Sequence, residues 1–194
     1  MTKMEFWELM DVFRNKSNGD NEVFLQSAQE YLSNCNMEEI YYFGGYLGAY
    51  MESVNECIWV DMACKVINGY VSDDTGLYFA LWLISQGEKV ILETLTNPDS
   101  IANLPHIPFG NAEFEMLMGV TFEMMGEDMD IEKVHSIQMK CLEIITPDIQ
   151  YKNNNKYGKY ESFEDGMEDI PNIMPNLIKR ADSENFDWKN LYEF

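Results

Sequence analysis

Positive charge is what this sequence has least of. Thirteen lysines and arginines stand against 34 aspartates and glutamates, for a formal net charge of −21. No lysine or arginine occurs between Lys16 and Lys65, a gap holding eight carboxylates, or between Lys89 and Lys133, a gap holding nine. A field of that sign repels nucleic acid and anionic membrane and speeds encounter with basic proteins. Histidine is scarce too, with only His106 and His135. Glu132-x-x-His135 is half of the helical di-iron pattern, which needs a second such pair and two more glutamates. His106 lies between Pro105 and Pro108 with no glutamate three residues before it, so no metal centre is expected. The four cysteines, Cys35, Cys57, Cys64 and Cys141, have neither disulfide-scaffold nor zinc spacing. They read as buried free thiols in a reducing cytoplasm. No apolar run reaches membrane-spanning length, and Met1 to Phe13 carries Lys3, Glu5, Glu8 and Asp11, unlike a signal peptide. Alternation of apolar and polar residues, the mark of a strand, persists nowhere before Thr146.

What is present is helical periodicity in a chain that is 46% hydrophobic and 13% aromatic, ample for a core. The pattern is organised around residues 72–86. Ser72 is a good N-cap, Asp73 and Asp74 fall in the first turn facing the positive end of the helix dipole, and Gly87 ends the segment. Leu77, Leu81 and Ile84 share one face, while Tyr78, Phe79, Trp82 and Leu83 fill the flanks, so the helix is expected to be buried on several sides. Shorter amphipathic segments precede it: Met4 to Phe13, a helix from Asn21, one opened by an Asn36/Glu39 capping box, and Ile58 to Ile67, ended by Asn68-Gly69. Gly44, Gly45 and Gly48 thin one side of the third, where another helix can come close. Glu88 to Thr96 follows the central segment. Asn111 is expected to cap a helix carrying Phe114, Leu117, Met118, Phe122 and Met125, and Asp130 to open a long one ending at Thr146-Pro147. Ile170 to Arg180 forms a last short helix. The fold class predicted is all-α, a single globular domain of about seven to nine helices. Residues 1–146 make the helical body, 147–169 a polar loop, and 170–194 a helix and aromatic segment (Phe186, Trp188, Leu191, Tyr192, Phe194) that fold back on it.

Certain residues carry a family resemblance. They are Ile67-Asn68-Gly69 leading into Ser72-Asp73-Asp74, then Phe79, Trp82-Leu83-Ile84, Gln86-Gly87 and Asn97-Pro98-Asp99-Ser100. Together they resemble the bacterial domain of unknown function 4240. Phe6-Trp7-Glu8-Leu9-Met10-Asp11 is similar to that family's N-terminal signature, and Trp59 with Ala63 fits its pattern. The resemblance covers roughly residues 4 to 104. It differs at Gly76, where the family pattern has an aromatic, and at Ala80, where it has an arginine. It implies a fold and brings no biochemical activity with it.

Candidate sites are few. Ser72 could suggest a hydrolase triad, but no strand–turn–helix elbow accompanies it and capping accounts for it. No catalytic residue and no cofactor is assigned. Glu52 with Glu56, and Glu123 with Glu127, are carboxylate pairs one helical turn apart, the spacing of a solvated helix face. The run Tyr151 to Tyr160 interleaves aromatics with three lysines, ingredients of a nucleic-acid patch that the surrounding charge opposes. Two readings remain. The first is a non-enzymatic binding protein that meets a basic protein partner through an acidic face comprising Glu113, Glu115, Glu123, Glu127, Asp128 and Asp130, an immunity or antitoxin type being one form. The second is a small-molecule sensor or enzyme with a site at Asp73, Asp74 and Trp82.

Overall fold

The computed structural model describes residues 1–126, 129–149, 160 and 162–189. Among these there are eleven α-helices and no strand, packed as one compact domain. In chain order the helices are α1 (Lys3–Ser17), α2 (Asn21–Leu32), α3 (Met37–Asn55), α4 (Ile58–Asn68), α5 (Asp73–Ser85), α6 (Glu88–Thr96), α7 (Met116–Met125), α8 (Ile131–Ile145), α9 (Phe163–Gly166), α10 (Ile170–Ile173) and α11 (Pro175–Ser183). Short 3-10 turns span Pro98–Asn103 and Met167–Asp169.

The local signals act where the residues put them. Asn36 and Glu39 close a reciprocal capping box on α3, and Ser72 with Thr75 closes one on α5. Asp130 accepts from Lys133 N to cap α8. Gly69 ends α4 at φ 86°, a left-handed conformation that costs glycine nothing. The central helix α5 buries Phe79, Ala80, Leu81, Trp82, Leu83 and Ile84 in succession. A run buried on every side needs covering from every side, and α3, α4 and α6 supply much of that cover. Trp82 stacks on Phe79 with ring centroids 5.4 Å apart.

The longest helix, α3, is the common wall of the domain. On one side Tyr50 accepts a 2.9 Å hydrogen bond from Trp7 Nε1, beneath an aromatic cluster that includes Phe6 and Phe43. On the other its glycines admit α7 and α8. A Cβ on Gly45 would stand 2.9 Å from Ile137 Cγ2, and one on Gly44 3.2 Å from Met125 Cε. Small residues at 44, 45 and 48 therefore set the separation of α3 from both helices.

Eleven helices exceed the seven to nine expected, for two local reasons. Met174 precedes Pro175, and a residue before proline is pushed out of helical geometry; Met174 sits at φ −127°, ψ 55° and divides α10 from α11. The short α9 forms inside the segment read as a polar loop because Ser162 caps it and Gly166 packs against Met62 on α4. A third difference bears on the site. The helix expected to start at Asn111 starts at Met116, because Gly110 and Asn111 lie in a turn and residues 112–114 are held by tertiary hydrogen bonds to Asn68 and Tyr78. The 151–160 loop lies outside the described residues save Tyr160, as do Leu191, Tyr192 and Phe194.

Candidate functional site

Asn68, the last residue of α4, decides where the acidic segment runs. Its carboxamide accepts from Ala112 N at 2.8 Å and donates to Ala112 O at 3.3 Å, pairing a side chain with a backbone as two strands would pair. Gly110 N donates to Ile67 O at 2.7 Å and Phe114 N to Tyr78 O at 3.0 Å. The segment thus runs from the C-terminal end of α4 to Tyr78 in the first half of α5 as an extended strap. Extended backbone alternates its side chains. Ala112 and Phe114 point into the core, Phe114 meeting Phe24 edge to face at 5.4 Å, while Glu113 and Glu115 point out.

Both outward carboxylates are held by tyrosines. Tyr70 donates to Glu113 Oε1 at 3.1 Å and Tyr78 to Glu115 Oε1 at 3.0 Å. The hydrogen bond to Glu115 raises the Tyr78 pKa most, aided by some desolvation and by the charges of Glu115, Asp74 and Glu113. Asp74 therefore belongs to the same electrostatic neighbourhood as the strap.

The helix that follows, α7, turns Leu117, Val120, Thr121 and Met125 inward toward α3 and α2. Its other side carries Met116, Gly119, Phe122 and Glu123. Met116 is 56% exposed and Phe122 48% exposed, and nothing lies within 4 Å of where a Gly119 side chain would begin. Glu123 accepts from Gln29 Nε2 at 3.0 Å, and Asp130, beyond the turn, is engaged as the α8 cap. Lys133, in the first turn of α8, lies over the Tyr41 ring at 5.1 Å. Glu127 and Asp128 lie outside the described residues. Met116 and Phe122 thus stand exposed on the side of α7 that also carries Glu123, with Glu113 and Glu115 on the strap before the helix and Asp130 at the start of α8. At 100° per residue Phe122 falls about 140° from Leu117 on the helix circumference, an offset that marks it as outward-facing.

The adjacent Asp73 and Asp74 face different neighbours. Asp73, with Glu164 of α9, acts on Asp61 of α4, whose carboxyl is pushed up to about 6, chiefly by burial and then by those two charges. Asp74 acts on Tyr78. Trp82 is buried two and a half turns further along α5, so the structure does not bring these three side chains together. A Cβ on Gly76 would stand 3.3 Å from Asp61 Oδ1 and 3.4 Å from Asn55 Oδ1, so the family's aromatic could not be seated here without moving both.

Among the described residues no group of three or more His, Cys, Asp or Glu side chains is arranged to hold a metal ion. Glu132 and His135 are both exposed on α8, and His106 is exposed in its loop. Glu52 accepts from Gln138 Nε2 at 3.2 Å across the α3–α8 contact. Cys57, Cys64 and Cys141 are buried thiols and Cys35 is a half-buried one. Burial pushes the Cys141 thiol up to about 11 and the Cys64 thiol higher still. No helix of the described residues is long and apolar enough to cross a membrane.

The sequence model of the family described as "Protein of unknown function (DUF4240)" matches residues 1–139. The chain belongs to this family. No match is found among curated proteins or among solved structures. The DUF4240 span takes in α1 to α7 and ends within α8, so it includes the strap and the exposed side of α7, while α9, α10 and α11 lie beyond it.

Proposed function

We propose that this DUF4240 protein is a non-enzymatic binding protein that holds a basic protein partner against the outer face of α7. One observation carries the reading: Met116 and Phe122 are exposed on α7, with Glu113, Glu115, Glu123 and Asp130 on the same stretch between Lys89 and Lys133, which holds nine carboxylates and no lysine or arginine. Large exposed apolar side chains ringed by polar groups are the usual anatomy of a protein interface, with apolar anchors at the centre and charges steering the approach at the rim. The tyrosine hydroxyls on Glu113 and Glu115 orient those carboxylates before any partner arrives, which lowers the ordering cost of binding. An immunity or antitoxin type of protein is one concrete form, since masking a cationic toxin needs shape and charge and no chemistry.

The test compares the native chain with a face variant, Glu115→Lys, Phe122→Ser, Glu123→Lys, as bait in host lysate at low salt. The reading expects one basic protein, identified by mass, to be retained by the native chain and lost by the variant. Equal retention by both, or nothing beyond what an unrelated acidic protein retains, overturns it.

A further inference from the structure

A second surface, separated from the α7 face by α2, has a different shape. The outer side of α1, the last turn of α2 and the first turn of α3 enclose an open groove of about 420 Å³. Leu9 and Val12 form its apolar floor and Tyr31 a wall, with Met1 at one end; Glu5, Glu8 and Glu39 stand on the rim. Val12 is 57% exposed and Tyr31 40% exposed. Two further exposed methionines, Met4 in the first turn of α1 and Met37 in the first turn of α3, continue the apolar surface at the same helix ends.

The rim is built rather than incidental. Glu5 and Glu39 are the glutamates of the α1 and α3 capping boxes, and each is pinned by a backbone N–H, from Thr2 at 2.6 Å and from Asn36 at 2.9 Å. Their charges reach the Tyr31 hydroxyl between them and add to the burial that raises its pKa. The cations of α1 are committed elsewhere: Lys3 to Glu88 and Asp148, Arg14 to Asp11 and Gln86 O, Lys16 to Glu30. The Met1 amine is the positive group that acts on Glu5.

Glu5 with Leu9, and Glu8 with Val12, stand four residues apart on α1, so the two glutamates lie one turn before the two apolar side chains on the same face. A partner helix that carries cations one turn beyond its apolar stripe repeats at the same pitch, so it can set aliphatic side chains on Leu9 and Val12 while its cations meet the rim. We propose that this groove is a docking site for an amphipathic helix carrying lysine or arginine at one end of its apolar stripe. The site is independent of the α7 reading.

The test uses the full chain, labelled with 15N, and a defined 18-residue helical peptide of leucine and lysine, set against a scrambled peptide of the same composition. Saturable amide shifts at Leu9, Val12 and Tyr31, with at least tenfold weaker binding of the scrambled peptide, are expected. Val12→Asp, at an exposed position that folding does not depend on, lowers affinity at least tenfold, and Glu8→Gln lowers it severalfold. Equal binding of both peptides, shifts scattered over carboxylates at large, or no effect of Val12→Asp overturns the proposal. Shifts confined to Met116 and Phe122 overturn it while leaving the α7 reading intact, and failure of the lysate experiment leaves this site untouched.

Discussion

The carboxylate of Asp99 caps a helix that begins 76 residues further along the chain. It accepts from Asn176 N at 2.9 Å, Asn176 Nδ2 at 2.6 Å and Leu177 N at 2.8 Å, at the start of α11, where Met174 offers no capping side chain. Arg180 fastens the same helix to the carbonyls of Ala102, Leu104 and Pro105.

Removing that acceptor leaves buried N–H groups without a partner. Asp99→Ala is expected to cost about 1–3 kcal/mol by urea denaturation. It should also speed proteolytic cleavage between residues 170 and 189, whereas Asp99→Asn, which keeps one acceptor, recovers part of both effects.

Two glycines on facing helices predict opposite signs. Gly45→Val drives a branched side chain into Ile137 and Cys141 at the α3–α8 contact and should destabilise by about 1–3 kcal/mol or more. Gly119→Ala places a methyl in open space on α7 and removes a helix-weakening residue, so it should stabilise by about 0.5–1 kcal/mol. Thermal melts of the two variants check both.

Asp61 makes stability depend on pH. Its pKa rises on folding from the ordinary 3.8 to about 6, chiefly through burial. The folded form therefore keeps a proton that the unfolded form has already lost, and stability falls as pH climbs from about 4 to about 6, then levels off. Asp61→Asn should flatten that window and leave the variant about 1–3 kcal/mol more stable at pH 7. A steeper fall in the variant than in the native chain would contradict it.

Asn68→Ala breaks both bonds to Ala112 and frees the strap at its buried end. A loss of about 1–3 kcal/mol is expected. Tyr78 should also titrate closer to its ordinary value, as Glu115 is no longer held against it. Absorbance titration of the tyrosines reads the second effect apart from the first.

Much of the fold was legible in the residues because the signals are short-range. The caps at Asn36, Ser72 and Asp130, the stop at Gly69 and the all-round apolar stripe of α5 each need only a few neighbours to act. The carboxylate-rich, cation-free stretch after Lys89 was equally plain. The splitting of α10 from α11 was half-visible in Pro175, whose effect falls on the residue before it.

The arrangement of the candidate site was not legible, since it depends on partners far along the chain. Periodicity alone made 111–125 one helix and put Phe122 in its core. The carboxamide of Asn68 takes the backbone of Ala112 instead, delays the helix to Met116 and turns Phe122 outward. It is likewise the packing of α4 and α9 on one side, and of the strap on the other, that sends Asp73 and Asp74 to different neighbours. The sequence by itself determined where helices begin and end, because caps and periodicity are local. Only the tertiary structure decided which apolar and acidic side chains remain at the surface together, because that depends on which backbone groups distant residues have already claimed.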